Sequence, residues 1–461
     1  MENKNRKVII ADETIRIKIN DKYDVLFRKD IYQPICVKRN TLNYILSDKE
    51  NCNKAVMDKL IEKGLICEEG SEKKGSSIIT SLKELRENYC DNILEIRFIP
   101  SYLCDENCGY CLARNAMDNC SKIFSISWIE NLIDVTNQYL KLHNGDIDTI
   151  SFTFIGGEPL LDINWNVCKE VLKEFREYFK EKIKITTRII TNGNRIDNGF
   201  LDKNSQYIDE IYLSFDIRGK INDETEPVQK KYSDIFMDLL DNCLKYVNTV
   251  TVDLKVNSQS NISPDNFILA ELRKRSEIYG DKLVIAASVI VTISDYDPYS
   301  QKHVCKYELK NFKKDDCLGI LKNLKLYFGK HFTFWPMLQH CSIYRCKTAT
   351  NNTLMVYPSG KVSICGKLYT NISDKVPLVA DLSQGSLINK KVLIDSDLVF
   401  QDEECMNCDY FFVCGGKCPL MADTSCVEEQ EYAKMFIDMA ALYAVEKNSN
   451  NLIKTFENTK G

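Results

Sequence analysis

Three cysteines stand close together in the segment Ile99-Pro100-Ser101-Tyr102-Leu103-Cys104-Asp105-Glu106-Asn107-Cys108-Gly109-Tyr110-Cys111. Their CxxxCxxC spacing puts three thiols on one short loop after a hydrophobic run. Three thiolates can hold three irons of a 4Fe–4S cubane and leave the fourth open, whereas a simple electron carrier normally uses four. Zinc is the competing reading of the spacing, although it usually takes four ligands in two pairs. The next hydrophobic run ends in Phe154-Ile155-Gly156-Gly157-Glu158-Pro159-Leu160-Leu161. Paired glycines there let backbone approach a ligand closely, and Glu158 supplies a carboxylate for a cationic group. An ordinary turn with a solvated glutamate is the plainer alternative.

A second cysteine-rich stretch lies downstream. Cys346 is followed after thirteen residues by Gly360 and after four more by Cys365, with Cys341 just upstream. Then come Cys405-x2-Cys408-x5-Cys414-x3-Cys418 and Cys426. The chain has 20 cysteines in 461 residues. The remaining ones, including Cys36, Cys67, Cys168 and Cys243, are scattered and read most simply as small core residues. Grouped cysteines in a large chain without an export signal point to metal or catalysis rather than to disulfides.

The elements that must position these residues alternate between about 90 and 300. Strands are expected at 93–99, 147–155, 183–190, 211–215, 249–256 and 283–291. Helices are expected at about 127–143, 164–179, 232–246 and 264–277, the first opened by a capping box at Ser127-Trp128-Ile129-Glu130. Repeated βα units imply a parallel sheet, open or curled into a partial barrel, with chemistry at the C-terminal strand ends. Both motifs fall there. Residues 7–68 read as a small α+β unit: strands at 8–10 and 15–19, a return strand at 23–28, two short helices and a closing strand at 65–67. The stretch from about 330 to 430 is irregular, and residues 428–444 read as an amphipathic helix.

Bulk properties narrow the function. The chain is 44% hydrophobic and 28% charged with a formal net charge of -5. No basic block marks a nucleic-acid surface, and no apolar run is long enough to span a bilayer, so neither nucleic acid nor membrane is expected as a partner. The expected location is cytoplasmic.

Taken together, Cys104, Cys108, Cys111 and the Gly156–Pro159 tetrapeptide resemble the radical S-adenosylmethionine superfamily. The resemblance implies that S-adenosylmethionine chelates the open iron while the strand edge at Gly156, Gly157, Glu158 and Pro159 receives its amino group. Tyr110 matches the position that lies against the adenine. Thr191-Asn192-Gly193 and Leu213-Ser214-Phe215-Asp216 match positions facing the ribose or methionyl part, through Asn192, Ser214 and Asp216. Asp105 departs from the asparagine of many relatives, with little consequence expected. The downstream cysteines resemble the SPASM extension. That likeness implies two auxiliary 4Fe–4S clusters, one held by Cys341, Cys346, Cys365 and Cys418, the other by Cys405, Cys408, Cys414 and Cys426. If Cys341 is not a ligand, the first of these has an open iron.

Residues 1–75 resemble the winged-helix peptide-recognition element of enzymes that mature ribosomal peptides, in which a leader peptide adds a strand to a sheet edge. The expected organisation is therefore a recognition domain at 1–75, a partial (β/α)6 barrel at 90–315, a SPASM domain at 330–430 and a C-terminal helix at 431–461. The expected activity is modification of a precursor peptide, forming a thioether between a cysteine sulfur and a carbon, with flavodoxin or ferredoxin as electron donor. A carbon–carbon or carbon–oxygen crosslink, a sulfatase maturase forming formylglycine, and a non-catalytic iron–sulfur scaffold are the alternatives.

Overall fold

The structure is a computed structural model. It describes residues 8–11, 14–18, 21–28, 31–47, 54–70, 92–106, 108, 111, 122–142, 147–216, 226–256, 266–289, 292–297, 302–307, 314–334, 352–364 and 378–389. The chain divides into two compact units, one containing residues 1–89 and the other residues 90–339 and 347–396.

In the first unit, β1 (Val8–Ile10) pairs antiparallel with β5 (Ile66–Glu68). Strands β2 (Thr14–Lys18), β3 (Tyr23–Arg28) and β4 (Ile31–Lys38) form an antiparallel sheet in that order. Helices α1 (Arg39–Leu46) and α2 (Lys54–Glu62) close it. Val8, Leu26, Val37, Leu42, Ile45, Leu60, Leu65 and Ile66 make one core, so both sheets and both helices share a single apolar centre. Asp24 is fully buried and accepts from Arg16 Nε at 2.7 Å and Arg39 Nε at 2.8 Å. A buried carboxylate is tolerable because both its oxygens are paired with cations.

The second unit is built on β6 (Ile93–Phe98), β7 (Thr149–Phe154), β8 (Lys184–Thr191), β9 (Glu210–Asp216), β10 (Thr249–Val256) and β11 (Leu283–Val289). Each is parallel to its neighbour, in chain order. Helices α3 (Ile129–Leu142), α4 (Asp162–Phe179), α5 (Asn198–Asn204), α6 (Glu226–Tyr246) and α7 (Phe267–Tyr279) make the crossovers. Because strand order never reverses, right-handed crossovers put every one of these helices on the same face. Phe152 meets Phe175 of α4 at 4.8 Å between ring centroids, and Phe215 meets Phe236 of α6 at 4.2 Å, which fixes that face. The opposite face carries Glu95, Thr153, Thr251 and Asp253, all 3% exposed or less, and the crossover helices all lie on the other side. Such burial fits a sheet curled on itself. The expected α/β partial barrel is the fold observed.

Beyond it, the hairpin β12 (Thr292–Asp297) and β13 (Lys302–Tyr307) precedes α8 (Lys314–Phe328) and β14 (Phe332–Phe334), which adds parallel to β11. The sequence was expected to be irregular after about 330. Instead β15 (Thr353–Val356) lies parallel to β6, and β16 (Lys361–Ser363) and β17 (Leu378–Asp381) continue the sheet antiparallel. Gly360 occupies the β15–β16 turn at φ 82°.

The capping box also differs. A 3-10 turn at Ile126–Trp128 precedes α3, and Ser127 Oγ pairs with Ser125 Oγ at 2.7 Å instead of capping. Cys168 and Cys243 are buried core residues as expected, while Cys36 and Cys67 are only partly buried. No helix of the described residues is long and apolar enough to cross a membrane.

Candidate functional site

Three loops at the C-terminal ends of β6, β7 and β8 meet. The first carries Cys104, Cys108 and Cys111, each half-buried. Its floor is a small apolar cluster of Ile99, Tyr102, Ile155, Met355 and Tyr357, against which Cys111 and Ile190 pack. Strand β15 thus supplies part of the floor, through Met355.

The Gly156-Gly157-Glu158 turn after β7 is pressed against this loop by main-chain bonds. Gly157 N–H donates to Ser101 O at 3.1 Å and Glu158 N–H to Leu103 O at 2.8 Å. A Cβ on Gly157 would fall 2.0 Å from Leu103 O and 2.6 Å from Tyr102 C. Gly156 has φ 119°, and a Cβ there would fall 2.5 Å from Ile99 Cγ2. Both glycines are therefore demanded by contact with the protein's own cysteine loop. Ser101 and Asn164 brace the junction: Ser101 Oγ donates to Asn164 Oδ1 at 2.7 Å, and Asn164 Nδ2 to Glu158 O at 2.8 Å.

Glu158 is 2% exposed. Its Oε1 accepts from Leu160 N–H at 2.9 Å and Thr191 Oγ1 at 2.7 Å, and its Oε2 from Asn192 N–H at 2.9 Å. Burial pushes this carboxyl above its ordinary range, and the three donors only partly oppose that. The carboxylate is thus already tied to the end of β8. Asn192 continues the chain of contacts: its Nδ2 donates to Asp105 Oδ1 at 2.8 Å and its Oδ1 accepts from Asn194 N–H at 2.9 Å.

Asp105, whose departure from asparagine was expected to have little consequence, is tied into the same chain of contacts. Besides Asn192 it accepts from Arg195 Nε at 2.9 Å, while Glu106 Oε1 accepts from Asn194 Nδ2 at 3.0 Å. Desolvation works to raise the Asp105 carboxyl, but the bonds from Asn192 and Arg195 outweigh it and hold the group below the usual range. Thr191 was expected only as part of the Thr191-Asn192-Gly193 match; sequence reasoning missed Ser101, Asn164, Asn194 and Arg195, whose only local signal is proximity to the motifs.

Burial is also the main reason the Cys104 thiol is pushed up to about 11; the Glu106 N–H opposes this, and the charges of Glu158 and Asp105 add to it. Such a thiol is protonated at neutral pH, so a metal would have to displace the proton. Among the described residues no three His, Cys, Asp or Glu side chains converge on one point able to hold a single metal ion. A cubane makes a different demand, since each thiolate binds a different iron. Three half-buried thiols on one strand-end loop, over an apolar floor, fit that donor set.

Of the other expected residues, Pro159 follows Glu158 in the same turn. Ser214 lies on the inward face of β9, in register with Asp253, and Asp216 ends that strand opposite Lys255. Tyr110, Cys341, Cys346, Cys365, Cys405, Cys408, Cys414, Cys418 and Cys426 lie outside the described residues.

No family model matches the chain. It is 31% identical over 139 residues to an S-adenosylmethionine-dependent nucleotide dehydratase of Lacinutrix mariniflava, covering 27% of this chain and 26% of that protein. Identity to another of that name, from Psychrobacter lutiphocae, is 30% over 120 residues, covering 24% of this chain and 37% of that protein. The chain thus spans between about a quarter and about half the length of the curated relatives it matches. Among solved structures, native anSMEcpe with bound AdoMet and Cp18Cys peptide superposes with a TM-score of 0.52 at 18% identity, over 78% of this chain and 99% of that chain. The mostly parallel α/β fold is shared with that structure.

Proposed function

We propose that the chain is a radical S-adenosylmethionine enzyme that modifies a ribosomally made precursor peptide. The observation carrying this reading is the loop of Cys104, Cys108 and Cys111, fixed over an apolar floor by Gly157 and Glu158. When bound there, a 4Fe–4S cluster with S-adenosylmethionine supplies a 5′-deoxyadenosyl radical able to take hydrogen from an unactivated C–H bond. The chain's own part is positioning and exclusion of water. Gly156 and Gly157 leave main chain, not side chain, along the rim of the cysteine loop. Glu158 holds that rim against β8, and Tyr110, Ser214 and Asp216 are the remaining proposed contacts of the cofactor.

Peptide as substrate is supported by the antiparallel sheet of the first unit, whose outer strands among the described residues, β2 and β4, each pair on one side alone. A leader peptide would add to such an edge. Cys341, Cys346, Cys365, Cys405, Cys408, Cys414, Cys418 and Cys426 are the proposed ligands of two auxiliary clusters. The product we favour joins a cysteine sulfur of the peptide to one of its carbons, with net loss of two hydrogens.

A second reading comes from the relatives: the substrate is a nucleotide that loses water. The two are separated by anaerobic reconstitution with iron and sulfide, followed by S-adenosylmethionine, dithionite and either a cysteine-rich peptide encoded nearby or a panel of nucleoside triphosphates. About twelve irons, 5′-deoxyadenosine and a peptide lighter by about two daltons support the first reading. Loss of about eighteen daltons from a nucleotide supports the second. Bound zinc with no deoxyadenosine refutes both.

A further inference from the structure

Strands β6 and β8 are not neighbours, because β7 lies between them. Their end loops are nonetheless joined directly, across the Gly156–Glu158 turn. Asp105, next in chain to Cys104, accepts from Asn192 Nδ2 at 2.8 Å and Arg195 Nε at 2.9 Å. Glu106 accepts from Asn194 Nδ2 at 3.0 Å, and its own N–H lies 3.4 Å from Cys104 Sγ. On the other side of Cys104, Leu103 O is held by Glu158 N–H at 2.8 Å. Cys104 is therefore anchored through both chain neighbours, one to the β7 loop and one to the β8 loop. Glu158, bonded to Thr191 and Asn192, closes the ring of three loops.

We propose that Asp105, Asn192 and Arg195 form a clasp that positions the Cys104 thiolate and sets the charge beside an iron–sulfur cluster. The proposal rests on the iron–sulfur reading of Cys104, Cys108 and Cys111. Asp105 and Arg195 are positioning residues rather than ligands. Their side chains are 19% and 49% exposed, so their ion pair contributes little to folding stability. What such a pair can do is hold a loop in one geometry and place a fixed charge, and both tune a metal centre from outside its ligand set. Asn192 has its side-chain amide committed at both ends, to Asp105 and to Asn194 N–H. Its part here is accordingly to hold the cysteine loop.

The test uses the full chain, reconstituted anaerobically with iron and sulfide, as wild type, Asp105→Asn, Arg195→Gln and the double variant. S-adenosylmethionine is the probe, followed by equilibrium dialysis and by its effect on the electron paramagnetic resonance of the reduced protein. Each single variant should bind it about five-fold more weakly, and the double variant no more weakly than either, because one interaction is lost only once. The midpoint potential of the cluster that responds to the probe should rise in Asp105→Asn, which removes a negative charge, and fall in Arg195→Gln. Melting temperatures should stay within about 2 °C of wild type. Wild-type affinity in the variants, additive losses in the double variant, or potentials moving in the same direction would overturn the clasp. If wild type itself takes up no iron–sulfur cluster, the functional reading fails and the clasp with it.

Discussion

Gly157 occupies a position at which its neighbours leave no room for a side chain. A methyl group there would lie 2.0 Å from Leu103 O, a main-chain atom that cannot swing aside. Gly157→Ala should therefore displace the cysteine loop, costing about 3 kcal/mol and most of the iron taken up on reconstitution. Gly319, inside α8 with nothing within 4 Å of a built Cβ, is the matched control. Gly319→Ala should be neutral or stabilising by up to about 1 kcal/mol. Equal losses from both in urea melts would contradict this reading of Gly157.

Glu158 invites a second prediction at the same scale. Burial raises its carboxyl on folding, from an ordinary value of 4.5. A carboxyl raised on folding holds its proton more tightly in the folded state. Its contribution to stability is thus complete below the ordinary value and is lost as pH rises through the raised one. Wild type should lose stability relative to Glu158→Gln as pH climbs from 4.5, since glutamine does not titrate. Denaturant midpoints of both proteins across that range would check it, and a constant or widening advantage for wild type would count against it.

Along the strands, two faces divide the work. One row of Ile, Val, Leu and Phe packs on helices, and the other carries paired charges into the curled sheet. On β10, Asp253 is 1% exposed and its Oδ2 accepts from Lys255 Nζ and from Ser288 Oγ of β11, the latter at 3.0 Å. Its Oδ1 has no partner among the described residues. On β8 and β9, Arg188 Nε meets Glu210 Oε2 at 2.7 Å. Removing one member of a buried pair strands the other, so Lys255→Met should cost about 2 kcal/mol after allowance for the partial exposure of the ammonium. Were the melting curve unchanged, the inward face of β10 would be far wetter than its burial implies.

For the whole molecule, the testable quantity is iron. Three clusters require about twelve irons, and a Cys405→Ala, Cys408→Ala double variant should retain about eight with S-adenosylmethionine binding intact. A fall to zero would mean that the downstream cysteines hold the fold itself rather than a separate centre. Retention of all twelve would remove these cysteines from the ligand set.

Much of this was legible in the sequence because it is local. Hydrophobic runs of strand length separated by helical periodicity located β6 to β11, and both motifs followed directly from strand ends, where a parallel sheet places its chemistry. The paired glycines were legible as a close approach, though not as an approach to the cysteine loop. What only the tertiary structure decided depends on residues far apart in the chain. Thr353–Val356 joins β6 across more than 250 residues, as the Asn352 Nδ2 bond to Ile93 O records. Asp105 finds Asn192 and Arg195, and Glu158 finds Thr191, only because β6, β7 and β8 lie side by side. A local pattern reports the period of burial along a segment. Which aspartate meets which arginine is set by the packing of strands, and no periodicity in either segment encodes it.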